Sequence, residues 1–312
     1  MSALLLRAGA MLVAFAVDRW LGEPPPALHP VVWMGKAMGA TGAPWPGRSP
    51  TGQFFRGAVW WFAGAVTVLV AAWLATMLVQ QFAPLFGLWS AGIEIFAIGL
   101  LLKPLLAWRM LREEVCAVEA ALGQGLDEGR RQLSRLVSRD TRSLTEGEVR
   151  ESTLESLAEN LNDSLVAPLF WFAIAGLPGA AVYRFANTAD AMWGYRDRWE
   201  WAGKWAARAD DVLSYVPARL TALLLAAGGY RWPHGLAKVA QVPPSPNSGW
   251  PMGTLALVLG VRLTKPGVYV LNPSGSLVGP SDMRAGLKVC ERAAWLAVGV
   301  AVGATAVLGA LQ

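Results

Sequence analysis

Glu155, Glu159 and Asp163 recur every four residues, so on an α-helix they share one face. Asn187 and Asp190 stand three apart, with Gly194 and Tyr195 one turn later. Between the two sets runs an 18-residue charge-free stretch, Leu165 to Val182. Polar groups at the edge of membrane-grade apolar sequence are costly, so their presence asks for a function. Gly176-Leu177-Pro178-Gly179, inside that stretch, is a strong turn signal. If the chain reverses there, the two helices run antiparallel and both clusters reach the same end. Such a constellation suits a metal ion or a polar substrate held at a membrane surface.

The donor set is oxygen-rich. Asp140, Glu155, Glu159, Asn160, Asp163, Asn187, Asp190, Asp210 and Asp211 all fall between residues 138 and 211. Hard oxygen ligands suit Mg²⁺, which commonly bridges a protein carboxylate and substrate phosphates. Arg139, Arg142, Arg196 and Arg208 offer forked donors for phosphate. The competing reading is ion pairing along solvated helix surfaces, which suffices for most charges of residues 110–150. Two histidines, His29 and His234, are too few for most histidine-based metal centres. His29 sits in a rigid Pro-rich turn, where a structural bond and a substrate contact are equally compatible with the sequence. Cys116 and Cys290 fit no metal or redox spacing. No GxxxxGK[ST] occurs, so there is no P-loop. In Pro243-Pro-Ser-Pro-Asn-Ser-Gly-Trp-Pro251, Asn247 and Ser248 would present polar groups to a ligand, or the segment is a simple turn.

The elements that must position these residues belong to a membrane protein. Hydrophobic residues make up 54% of the 312-residue chain and charged residues 16%. Gly57–Val79 and Ala293–Gln312 are charge-free; Phe82–Leu102 carries only Glu94, and Val212–Gly229 only Arg219. Ser2–Val17 is shorter and interrupted by Arg7. Ala14-Phe15-Ala16 resembles a signal-peptidase site, but a single preceding Arg argues against cleavage. The expectation is an all-α polytopic protein with four to five spans, an apolar hairpin arm at Leu165–Val182, and membrane-edge helices.

Thr145 and Glu148 are spaced as a capping box that opens a long helix. Leu126–Val137 reads as a short amphipathic helix, and residues 230–292 as irregular loops over a site. The chain reads as one membrane-embedded domain: N-terminal spans to residue 102, a helical motif region at 103–211, and C-terminal spans and loops at 212–312. Of 27 Lys and Arg, 14 lie in residues 103–211, interleaved with acids, which favours the cytoplasmic side for that region. A net charge of +5 does not point to nucleic acid.

Several separate segments together resemble the adenosylcobinamide-phosphate synthases of cobalamin biosynthesis, the CobD/CbiB family. They are Asp18-Arg-Trp-Leu-Gly-Glu-Pro24 with His29-Pro30-Val31, Ser138-Arg-Asp-Thr141, and Glu155-Ser-Leu-Ala-Glu-Asn160 with Asp163. Asn187-Thr-Ala-Asp190 with Gly194-Tyr195-Arg196, Asp210-Asp211, Pro217-Ala-Arg-Leu220 and Ser245-Pro-Asn-Ser-Gly-Trp250 complete the match. Glu23, Ala209 and Ser214 depart from the common Asp, Leu and Asn.

The resemblance implies a multi-pass enzyme of the bacterial inner membrane with a cytoplasmic active site. It would join adenosylcobyric acid to aminopropanol phosphate, or threonine phosphate, as an amide, with ATP as co-substrate and Mg²⁺ as cofactor. As a hypothesis within that pattern, Glu159, Asp163 and Asp190 hold the metal and Glu155 is the base. Arg139, Asn187 and Arg196 bind phosphate or corrin amides, and Asp140, Tyr195, Asn247, Ser248, Trp250 and His29 complete the substrate-binding set. Trp193, Trp199 and Trp250 would form an aromatic mouth for the corrinoid. Membrane lipid and a second copy of the chain are the further partners this reading admits. The alternative is a non-catalytic membrane sensor of the branch linked to β-lactamase regulation.

Overall fold

A computed structural model describes residues 2–41, 49–194 and 199–311. Twelve α-helices and one two-stranded hairpin are present among them. Four helical stretches are long and apolar enough to cross a membrane: Pro50–Leu122, Glu146–Trp193, Lys204–Gly228 and Pro280–Ala310. The chain is thus an all-α polytopic membrane protein. It divides into two compact units, Met1–Ala107 with Ala167–Ser214 and Val298–Gln312, and Trp108–Val166 with Tyr215–Ala297.

The first unit contains α1 (Ala3–Leu21), α2 (Pro30–Thr41), α3 (Pro50–Phe82) and α4 (Ser90–Leu102). Small residues let α1 and α4 approach closely and run parallel. A Cβ on Gly99 would come within 2.7 Å of Val13, and Asp18 pairs with Lys103 just beyond α4. On α3, Gly57, Ala58, Trp61 and Ala65 are buried while Val59, Phe62, Val66 and Leu69 are exposed. That exposed apolar stripe is the face a membrane helix turns to lipid.

After α5 (Trp108–Leu122), α6 (Leu126–Leu133) and α7 (Glu146–Leu161), a π-helical turn at Asn162–Val166 leads into α8 (Ala167–Trp193). The expected turn within α8 is a break at Gly176, with φ 65° and ψ −157°. A side chain there would strain the backbone, and Pro178 restarts the helix where its missing donor costs little.

The second unit is built around α7. Thr145 caps it in the full reciprocal box with Glu148, as its spacing predicts. Every residue from Val149 to Ala158 is buried, including Arg150, Glu151, Ser152, Thr153, Glu155 and Ser156. A helix this polar is stable inside a unit only if its charges are paired. Arg150 pairs with Glu119 at 2.9 Å and Glu146 at 2.7 Å, and Glu151 with Arg262 at 3.5 Å.

Residues 230–292 are more ordered than their composition predicts. They hold α10 (Leu236–Ala240), α11 (Gly249–Leu259) and a hairpin of β1 (Leu263–Lys265) and β2 (Tyr269–Leu271). The last helix, α12 (Pro280–Ala310), begins well before the Ala293 read from hydropathy, because Asp282, Arg284, Lys288 and Glu291 extend it as a polar end. Between α8 and α10 runs α9 (Lys204–Gly228). At 11 residues α11 is about 16 Å long, too short to span a membrane.

Candidate functional site

The polar inventory of α7 opens into a cavity of about 140 Å³ in the second unit. Arg139, Ser152, Glu155, Ser156, Glu159, Asn160 and Lys265 line it. Arg139 sits on the segment before α7, and its Nη2 donates to Glu155 Oε2 at 3.0 Å. The other Glu155 oxygen accepts from Tyr269 Oη at 2.5 Å. Burial, then the neighbouring Glu155, push the Tyr269 hydroxyl far above its usual range, so it stays a donor. Arg139 Nη1 and Ser152 Oγ are buried without a hydrogen-bond partner among the described residues. Orphaned buried donors are costly, and two on one small cavity mark a place for an anion. Lys265 adds a third donor.

Lys265 and Tyr269 escape sequence reasoning because strands of three residues carry almost no periodic signal. Pro266-Gly267 between them is the available clue, a turn pair with Gly267 at φ 73°. The hairpin register sets Lys265 opposite Tyr269, so both stand on one face.

The four-residue spacing holds for Glu155 and Glu159 but not beyond. Asp163 falls in the π turn, which inserts an extra residue into the helical register, and it does not line the cavity. Its Oδ1 accepts from Asn162 Nδ2 at 2.8 Å. Asp140, next to Arg139, turns outward instead and grips Arg142 at 2.7 Å. The Arg142 side chain holds its carboxyl down to about 2.

Asn247 is 5% exposed, and its Oδ1 accepts from Arg219 Nη1 at 2.6 Å. The Arg219 guanidinium also lies 4.8 Å from the centre of the Trp250 ring, so the Ser245–Trp250 segment is pinned to α9. Ser248 N donates to Ser245 Oγ at 3.4 Å, just before α11 starts.

In the first unit, Asn187 Nδ2 donates to Asp210 Oδ1, and Arg184 Nη1 donates to Asn187 Oδ1, both at 3.4 Å. Asp190 folds back over Gly194, where any Cβ would meet its Oδ1. Tyr195 and Arg196 lie outside the described residues. Trp193 and Trp199 are core residues, 6% and 5% exposed, with rings 5.8 Å apart, rather than an open aromatic mouth. His29 Nε2 meets Glu23 Oε2 at 3.0 Å, and buried Lys103 joins Glu23 at 2.7 Å and Asp18 at 3.2 Å. The Asp18-to-His29 motif thus ties the end of α1 to the end of α4.

Among the described residues, no three His, Cys, Asp or Glu side chains gather as a metal site. Of the three carboxylates read as metal ligands, Glu159 lines the cavity. Asp163 is bonded in the π turn, and Asp190 belongs to the first unit.

Span-length helices and a small polar cavity, with buried donors unpaired among the described residues, define a membrane protein with a candidate site for a polar ligand. The chain belongs to the CobD/CbiB family: the family model described as CobD/Cbib protein matches residues 11–297. Relatives include the "Probable cobalamin biosynthesis protein CobD" of Thermococcus kodakarensis, 44% identical, with 83% of each chain covered. The cobalamin biosynthesis protein CobD of Brucella suis is 36% identical, over 82% of this chain and 81% of that protein. That of Rhodobacter capsulatus is also 36% identical, over 92% and 93%. No solved structure matches. Membership places the chain in cobalamin biosynthesis.

Proposed function

We propose that the protein is an adenosylcobinamide-phosphate synthase of the cytoplasmic membrane, working from the cytoplasmic side. It condenses adenosylcobyric acid with aminopropanol phosphate, and ATP is split to ADP and phosphate. The observation that carries this reading is the trio of donors on the α7 cavity: Arg139 Nη1, Ser152 Oγ and Lys265 Nζ. At about 140 Å³ the cavity admits a phosphate but not a corrin ring, which would rest outside it.

The chemistry needs three things of the chain. A propionate is a poor acyl donor, so its carboxylate oxygen first attacks the γ-phosphorus of ATP and ADP leaves. The ammonium of the second substrate then loses a proton, its amine attacks the acyl carbon, and phosphate departs as the C–N bond forms. Arg139 and Lys265 bind the phosphate of the amine substrate and offset its charge. Glu159 is assigned the proton, since Glu155 is clamped by Arg139 and Tyr269 and serves to position them. Mg²⁺ would be held chiefly by the substrate phosphates, with Glu159 the adjoining carboxylate, and would supply charge neutralisation. Asn247, Ser248 and Trp250 are assigned to the corrinoid and its amides.

The test is turnover by detergent-purified protein given adenosylcobyric acid, aminopropanol phosphate and Mg-ATP, with products followed by mass spectrometry. Adenosylcobinamide phosphate with stoichiometric ADP is the expected result. Neither product nor corrinoid binding would overturn the reading in favour of a sensor.

A further inference from the structure

A second cavity, of about 220 Å³, lies within the first unit at the end opposite Lys103. Its walls are mostly apolar, with Trp73, Met77 and Phe172 among them, yet Arg7 and Glu94 both open into it. Each charge stands four residues inside its helix, α1 or α4, hence about 6 Å from the helix end. That is headgroup depth rather than midplane depth. The connection Ala83–Trp89 beside this end exposes Leu85, Phe86, Leu88 and Trp89, as an element resting in a lipid interface would.

The two charges do not pair with each other or with any other ion among the described residues. Arg7 Nη1 donates to the carbonyls of Ala173 at 3.3 Å and Ile174 at 3.1 Å, which fixes the guanidinium and leaves Nε and Nη2 unbonded. Gly176 keeps the approach open: a Cβ there would stand 3.4 Å from both nitrogens. Glu94 Oε1 accepts from Gln80 Nε2 at 3.2 Å, and Oε2 has no partner among the described residues. An unpaired cation and an unpaired anion sharing one low-dielectric cavity are costly unless something bridges them.

We infer that this cavity binds the headgroup of a zwitterionic aminophospholipid. The phosphate lies on Arg7 and the primary ammonium on Glu94, with the acyl chains leaving along the exposed face of α3. A phosphatidylglycerol lacks the cation, and a phosphatidylcholine lacks N–H donors for Glu94. This inference does not depend on the ligase reading.

Native mass spectrometry of the full chain, with phosphatidylethanolamine, phosphatidylcholine and phosphatidylglycerol of matched acyl chains, reads the preference directly. The expected result is at least about tenfold tighter retention of phosphatidylethanolamine, the size of one charge-assisted hydrogen bond. Glu94→Gln should abolish the preference over phosphatidylcholine, and Arg7→Gln should weaken all three. Arg7→Lys keeps the charge and should retain the order, which guards against misfolding of the glutamine variant. Equal retention of the three lipids by the unaltered protein, or an unchanged order in Glu94→Gln, would overturn the assignment.

Discussion

Arg139 and Glu155, 16 residues apart in sequence, meet at 3.0 Å with side chains 17% and 5% exposed. The bond aims one edge of the guanidinium at Glu155 and leaves Nη1 for the cavity. Removing one partner of a buried pair leaves an uncompensated charge and costs about 3 kcal/mol or more. Arg139→Ala and Glu155→Ala should each lower the thermal midpoint in detergent sharply. The double variant should lose less than the sum of the two. Additive losses would mean the pair is not coupled.

Lys265 separates binding from folding. It is half-buried on a short hairpin and makes no ion pair among the described residues, so its removal should leave the thermal midpoint nearly unchanged. On the ligase reading, Lys265→Ala should raise KM for the phosphorylated amine about tenfold while kcat changes little. Lys265→Arg should restore most of the affinity. Initial-rate kinetics with varied amine check this.

Asp140 and Arg139 are neighbours that should behave oppositely. Asp140 is exposed and, among the described residues, paired only with Arg142, an arrangement that contributes little to stability. Asp140→Ala should therefore leave the thermal midpoint nearly unchanged, as surface substitutions do, whatever it does to turnover.

The Glu23 cluster should give stability an acid limb. Burial pushes the Glu23 carboxyl up, but hydrogen bonds from His29 and Lys103 outweigh it and hold the group below its usual value. A depressed carboxylate contributes stability that is present above its unfolded value, about 4.3, and is lost as pH falls through the lower folded value. The thermal midpoint should fall below about pH 4, and Glu23→Gln should flatten that part of the profile. Lys103→Met, which strands Asp18 and Glu23 together, should cost about 3 kcal/mol or more at neutral pH.

Much of the frame was legible from residues alone. Long charge-free runs point to membrane helices, because lipid satisfies no backbone polar group and a helix satisfies its own, and Thr145 with Glu148 has the spacing of a capping box. The motifs around Arg139, Glu155 and Glu159 were visible as a departure from that apolar background. The rest depended on contacts across sequence. Four-residue spacing could not foresee the π turn that removes Asp163 from the Glu155 face, since one inserted residue leaves composition unchanged. Nor could it show that Trp193 and Trp199 pack on each other, or that Tyr269 reaches Glu155 across 114 residues. Local periodicity determines which helices form and which face they offer. The pairing of buried charges, and so which donors remain for a ligand, is decided only when distant elements close around them.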